Sequence, residues 1–176
     1  MSGIVNAVTK DGRNNFQGSV NTGYSTYATD NSKNGEEVFI GLDPFGINSN
    51  SDVKLGLSGP VIKDRLYFFS NYRTQNVNGH LNGIRRFEVW NLSDFYDQDS
   101  SNWFSENTGD SSYVPMNKGA YTSFMGKLSF NFGNIKFSWL LNKNNSLSKG
   151  YSHMYKYNPD GLSHGDVKTS LSLFQL

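Results

Sequence analysis

The chain has 176 residues, 16 of them basic and 15 acidic, and its formal net charge is +1. Such a chain, with its Lys and Arg scattered, lacks the clustered positive charge that neutralises phosphates, so we expect no nucleic-acid partner. The absence of cysteine excludes a disulfide framework and a cysteine-based zinc site, and no apolar run reaches the length of a transmembrane helix. An aromatic content of 15% with abundant Gly, Asn and Ser favours an all-β fold.

The first part of the chain predicts two strands joined by a short linker. The segment Ile4–Thr9 is apolar and rich in β-branched residues, as expected for a strand that is buried on both faces. A turn or linker follows at Asp11–Asn15. The segment Phe16–Thr26 then alternates with period two, and Tyr27–Asn50 reads as a long polar loop.

The middle of the chain predicts a hairpin with a very short turn. The second alternating strand is Ser51–Val61, and the third runs from Leu66 to about Asn78. Between them, Lys63-Asp64-Arg65 suits a solvent-facing turn, and Pro60 belongs at a strand end or bulge because proline gives no N–H to a ladder. A second long loop, Gly79–Lys118, follows.

The last third predicts a second hairpin and one more strand. Apolar residues alternate from Phe124 to Phe132 and again from Ile135 to Leu141, on either side of Gly133-Asn134, a two-residue hairpin turn. A third long loop, Leu147–Gly165, precedes alternation over Asp166–Leu176.

Long loops thus alternate with tight turns along the whole chain. This asymmetry is typical of bacterial outer-membrane barrels, whose strands need about 9–11 residues to cross a bilayer. We therefore predict antiparallel up-and-down strands that form part of a transmembrane β-barrel. The alternative is a soluble β-sandwich or β-barrel that binds carbohydrate through its aromatic loops.

Three stretches carry a family resemblance. They are Gly59-Pro60-Val61-Ile62-Lys63-Asp64-Arg65 with the Phe68-Phe69 and Asn71-Tyr72 that follow, Ser2-Gly3-Ile4-Val5-Asn6-Ala7-Val8-Thr9-Lys10-Asp11-Gly12, and Tyr157-Asn158-Pro159-Asp160-Gly161. The first of these stretches resembles the first tight periplasmic turn in the barrel of TonB-dependent outer-membrane receptors. The second resembles the closing strand of that family's plug, and the third resembles a later loop motif. The likeness is greatest to the large receptors of Bacteroidetes-like bacteria.

The resemblance implies a plugged barrel of about 22 strands that takes up a scarce nutrient such as a siderophore, vitamin, glycan or peptide. Residues 1–12 would be the last plug strand, and residues 13–176 would be about six barrel strands with three long outer loops. The implied partners are outer-membrane lipid, the nutrient, the TonB complex acting at a plug N-terminus that this chain lacks, and a surface lipoprotein. The chain is accordingly expected to be a fragment at both termini, with Met1 an internal residue.

Two sets of loop residues are candidate contacts for a ligand. Asp97 and Asp99 begin like a calcium loop, but Ser101, Asn102 and the lack of a closing Glu depart from that frame, so a solvated acidic loop is the default. Exposed aromatic rings beside carboxylates bind sugars and similar ligands by stacking, and the candidates are Tyr96, Trp103, Phe104 and Tyr113.

No motif in the sequence indicates an enzyme or a cofactor. There is no phosphate-binding Gly-Lys-Ser/Thr loop, no Gly-x-Ser-x-Gly elbow, and no spacing among His80, His153 and His164 that suits a metal. We therefore expect no catalysis, no cofactor and no metal. A further expectation concerns aromatic girdles at the membrane interfaces, with Tyr67, Tyr72, Tyr121 and Trp139 as candidates.

Overall fold

A computed structural model describes residues 10–27, 29, 32–33, 36–42 and 50–176 of the chain, and these residues form an all-β structure. The predicted plug strand Ile4–Thr9 lies outside the described residues. Six long strands dominate: β1 (Gln17–Ser25), β2 (Asn50–Ile62), β3 (Leu66–Asn78), β4 (Lys118–Phe132), β5 (Ile135–Lys149) and β6 (Gly165–Gln175). Short paired segments and single turns of 3₁₀ helix lie in the loops, and the described residues contain no α-helix.

The six strands form one antiparallel sheet in chain order, β1-β2-β3-β4-β5-β6. Each strand pairs with its neighbour in sequence, so the up-and-down arrangement predicted from the sequence is confirmed. The sheet is open, because β1 and β6 each pair with one neighbour only among the described residues. The long connections that follow β1, β3 and β5 begin at one end of the sheet, and the two tight turns lie at the other end.

Each of the two tight turns contains one residue with positive φ. Gly133 has φ 56° at the first position of the β4–β5 turn, which is the type II′ pattern. Asp64 has φ 63° in the β2–β3 turn, where the Arg65 amide donates to the Ile62 carbonyl at 3.1 Å. The β2–β3 register shifts between Pro60 and Ile62, so of the two predicted positions for Pro60, a strand end or a bulge, the structure shows the bulge.

One face of the sheet carries an apolar belt. Residues paired across antiparallel strands share a face, and the register places these side chains together: Leu55, Leu57, Phe68, Tyr72, Phe124, Leu128, Phe130, Phe132, Ile135, Phe137, Trp139 and Leu141. From Phe124 to Phe132 the belt covers eight residue steps, about 27 Å along the strand. With a strand tilt of about 40° its height is about 21 Å, close to the roughly 25 Å of known outer-membrane belts.

The other face is mostly polar over β1 to β5, although the register also places Phe69, Met125 and Leu140 on it. It carries Lys54, Arg73, Lys127 and Lys136, together with many Ser and Asn side chains. Tyr67 and Tyr121 also point to this face, since their ring hydroxyls donate to Asn14 and Asn144. Their assignment to an aromatic girdle is therefore wrong. Tyr72 and Trp139 lie on the belt face, but Trp139 pairs with Leu128 midway along the belt, so only Tyr72 lies at a belt edge, where a girdle would be.

Strand β6 reverses the pattern of its neighbours. Its apolar residues Leu171 and Leu173 pair with Asn142 and Leu140, so they lie on the polar face. On the belt face, Phe174 stacks on Trp139 with ring centroids 5.9 Å apart. Alternation in the sequence correctly predicts a strand here but does not decide its face, which is set by the pairing register with β5.

Candidate functional site

The aromatic candidates of the second long loop do not form one platform. A small hairpin pairs Ser93–Asp94 with Phe104–Ser105 and projects into solvent. Trp103 meets Phe95 edge to face at 6.0 Å, and Tyr96 is 96% exposed at the tip. Trp103 follows the 3₁₀ turn Ser100–Asn102, and its indole N–H donates to the Asp97 carbonyl at 2.9 Å, whereas Phe104 begins the paired segment.

Tyr113 belongs to a different part of that loop. It lies in the segment Tyr113–Pro115, which pairs with Asn82–Ile84 near the base of the loop. Gly41 of the first long loop sits directly on its ring, so closely that a Cβ at that position would overlap it. Tyr113 therefore packs one loop against another, and a ligand contact at Tyr96, Trp103, Phe104 or Tyr113 stays a prediction.

The two acidic candidates, Asp97 and Asp99, stabilise turns. Asp97 accepts hydrogen bonds from the Asp99 amide at 2.9 Å and from the Asn102 side chain at 3.0 Å. Asp99 caps the 3₁₀ turn Ser100–Asn102 by accepting from the Ser101 amide. These hydrogen bonds lower the pKa of both carboxyls. Within the described residues, no group of three or more His, Cys, Asp or Glu side chains is arranged to hold a metal ion.

The second and third long loops are locked together. The Arg85 guanidinium contacts Asp160 at 2.6 Å and Asp110 at 3.1 Å, and the Asp160 hydrogen bond is the main reason that the pKa of Arg85 is raised. The amides of Ile84 and Phe87 donate to the carbonyls of Lys156 and Tyr157 in the third loop.

The Tyr157–Gly161 motif explains this lock. Asn158 caps its 3₁₀ turn by accepting from the Gly161 amide, Pro159 is fully buried, and Asp160 faces Arg85.

A small buried cluster lies beneath the three loops. Met116 is completely buried, and Val114 is nearly so. The His80 ring lies between Tyr27 at 5.1 Å and Phe39 at 5.5 Å. All three long loops therefore contribute to one packed cap at their end of the sheet.

The polar face of the sheet carries a ladder of side chains that crosses five strands. Arg73 makes two hydrogen bonds of 2.9 Å to Asp52 and lies over the Tyr121 ring at 5.9 Å. Tyr121 donates to Asn144, and Asn144 donates to Thr169 of β6. Paired and hydrogen-bonded side chains of this kind suit a face in contact with water or with another polar surface.

The residues before β1 form a strap across this polar face. We use the term for Lys10–Asn15, which runs from β5 towards β1 near the tight turns. Asp11 contacts Lys127 and Lys136 at 2.6 Å each and accepts from the Ser129 hydroxyl at 3.1 Å. Burial alone would raise the pKa of Asp11, but the hydrogen bonds from Lys127, Lys136 and Ser129 lower it to about 2.

Two other strap residues fix its path. Asn14 donates to the Asp64 carboxylate at 2.6 Å and accepts from the Tyr67 hydroxyl at 2.8 Å. At Gly12 a Cβ would lie 2.4 Å from the Phe68 carbonyl oxygen, so only glycine fits. The sequence predicted a linker here but not its docking, since the only available signal was the placement of Lys127 and Lys136 at polar positions of alternating strands.

Comparison with known proteins does not assign the chain to a family. No protein-family model matches the chain, and no match was found among curated proteins or solved structures. In the part of the chain that the structure describes, no helix has the length and apolar character to cross a membrane.

Proposed function

We propose that the six-stranded sheet spans a bacterial outer membrane as part of the barrel of a TonB-dependent receptor that takes up a scarce nutrient. The observation that carries the proposal is the apolar belt on one face, combined with tight turns at one end and long loops at the other. The family resemblance of three sequence stretches supports the more specific assignment to a receptor.

The exposure of the belt favours lipid as its neighbour. Phe124, Phe130, Phe137 and Trp139 each remain at least 36% exposed, and Phe132 reaches 65%. A soluble protein covers a contiguous apolar face of this kind with a second layer. The described residues provide no such layer, whereas a lipid bilayer would cover a belt of this height.

The position of the folded cap fits a receptor role. The three long loops pack together at the end opposite the tight turns, which in outer-membrane barrels is the outer side. The exposed hairpin with Tyr96 and Trp103 would then face the medium, where a nutrient or a surface lipoprotein arrives. The TonB complex would act on the plug, outside the strands described here.

A soluble carbohydrate-binding module is the competing proposal. It is favoured by the same hairpin, because exposed Tyr and Trp rings stack on sugars. The two proposals differ in the environment of the belt, which is hydrocarbon in one case and the interior of a protein in the other.

Quenching by brominated lipids tests the membrane proposal directly. Trp139 lies in the belt, whereas Trp90 and Trp103 lie in the second long loop, so variants that keep one tryptophan each report one position. In vesicles containing lipids brominated on their acyl chains, we expect strong quenching of Trp139 and little quenching of Trp103. Equal quenching at both positions, or none at Trp139, would refute a lipid-facing belt.

Uptake is tested in cells. Deletion of the gene should abolish energy-dependent accumulation of one nutrient, and the protein should fractionate with the outer membrane. Accumulation that is unchanged for siderophores, vitamins, glycans and peptides would refute the transport role while leaving the membrane position intact.

A further inference from the structure

The side chains that surround Asp11 form a binding site for a carboxylate. Two ammonium groups and a hydroxyl, from Lys127, Lys136 and Ser129, converge on its two oxygens within 2.6–3.1 Å. The donors come from two adjacent strands, β4 and β5, whose fifteen-residue ladder fixes their spacing. The occupant, in contrast, comes from the strap, which is held by a few polar contacts.

The burial of Lys127 indicates that the site needs an anion, whereas Lys136 is 58% exposed and adds a second, solvated positive charge. The Lys127 side chain is only 10% exposed and Ser129 is 2% exposed. A cation removed from water to that extent requires a counter-charge, because its desolvation costs several kcal/mol when it is unpaired. Asp11 supplies this charge in the structure, and any carboxylate of similar geometry satisfies the same requirement.

A cavity beside the strap provides room for a larger molecule. It has a volume of about 940 Å³ and is lined by Lys10, Asp11, Gly12 and Arg13, together with residues of the first three strands such as Ser19 and Ser58. Asp11 thus lies between this cavity and the two lysines. The cationic strap residues Lys10 and Arg13 give the cavity a further preference for anions.

We propose that Lys127, Ser129 and Lys136 form a receptor site for the carboxylate of a solute, and that Asp11 of the strap is its built-in competitor. Movement of the strap opens the site, and an anionic solute in the adjoining cavity takes the place of Asp11. The strap is then displaced by the ligand that it mimics. This inference requires only the polar face and the strap, so it stands whether or not the belt faces lipid.

The test compares anion binding by the purified protein and its strap variants. Citrate and acetate are titrated calorimetrically at pH 7, with ionic strength held constant by sodium chloride because surface charge interactions are screened by salt. The tethered Asp11 occupies the site in the structure, and a site that is free about 10% of the time binds about tenfold more weakly than its intrinsic affinity, so Asp11→Ala should lower the apparent Kd for citrate about tenfold. Adding Lys127→Met and Lys136→Met to Asp11→Ala should abolish the gain.

Two outcomes would overturn the proposal. In one, Asp11→Ala binds citrate no more tightly than the unmodified chain. In the other, the gain persists after both lysines are replaced, which would place the anion elsewhere. Asp166→Asn serves as the matched control, because it removes an exposed carboxylate paired with Lys168 and should leave binding unchanged.

A second readout does not depend on the stability of the alanine variant. The chain has no cysteine, so Lys10→Cys creates a unique site for a spin label on the strap. Citrate should raise the mobility of this label in the otherwise unmodified chain more than sodium chloride of equal ionic strength. Equal effects of the two salts would show that the ion pairs are merely screened, and would contradict competition at a specific site.

Discussion

A single arginine placed in the apolar belt tests its interpretation quantitatively. Leu128 pairs with both Trp139 and Phe68, and this row lies midway along the belt, about 13 Å along the strand from either edge. Arginine on the lipid face near the bilayer midplane costs about 2–4 kcal/mol. Leu128→Arg should therefore reduce the folding equilibrium constant in a bilayer about 30- to 700-fold.

Two further arginine variants on the same strand serve as matched controls, one for depth in the membrane and one for the face of the sheet. Phe132 lies four residues from Leu128, about 10 Å farther from the midplane after correction for tilt, so Phe132→Arg should cost about 0–1 kcal/mol. Met125 is on the polar face between Asn71 and Asn142, and Met125→Arg should cost less than Leu128→Arg because its head group does not enter lipid.

The assay measures folding into lipid vesicles as a function of urea concentration. The folded fraction is read from gels, on which folded and heat-denatured protein migrate differently. An equal loss of folding free energy for arginine at Leu128, Phe132 and Met125 would refute the interpretation that the belt spans the hydrocarbon core of a bilayer. Folding of the unmodified protein in water, with loss of that fold in Leu128→Arg, would favour a soluble core instead.

Three further expectations concern the strap and the loops. Gly12→Ala should lift the strap from the sheet and speed its cleavage by trypsin, whereas Gly150→Ala should have no effect, because a Cβ there meets nothing within 4 Å. The pKa of Asp11 is lowered from its ordinary value of 3.8 to about 2, so docking of the strap should be complete above pH 3.8 and be lost as the pH falls through about 2. A spin label on the strap should report this change, and Asp11→Asn should remove the pH dependence. Replacing Arg85 with Gln or Asp160 with Asn should speed hydrogen exchange at the second-loop amides bonded to the third loop, and equal exchange rates in variant and parent would contradict the lock.

Much of the sheet was predictable because its signals are local. Alternation with period two marks β4 and the first half of β5, and Gly133 marks the turn between them. The second half of β5 has mainly polar side chains on both faces, and the loop predicted over Leu147–Gly165 is wrong up to Lys149, where the strand ends. It is a strand because β4 and β6 pair with it on either side, which single-sequence patterns do not reveal.

The functional surfaces were less predictable because they depend on distant contacts. The four aromatic candidates are close in sequence, but Trp103 packs on Phe95 and Tyr113 packs against Gly41 near the base of the loop. The carboxylate site joins Asp11 to residues more than a hundred positions away. Nothing in the composition near Asp11 indicates such a partner.

The strap also has a consequence for the order of folding. Asp11 and Lys136 are 125 residues apart, whereas the hairpins β2–β3 and β4–β5 close loops of three and two residues. Closing a long loop in an unstructured chain costs more entropy than closing a short one, so the hairpins form first and the strap docks last. Because its ion pairs require the side chains of both β4 and β5, a nascent chain can acquire them only after that hairpin is complete. A protease-sensitive strap is then the mark of an immature sheet, and resistance at Lys10 and Arg13 is a measure of how far assembly has progressed.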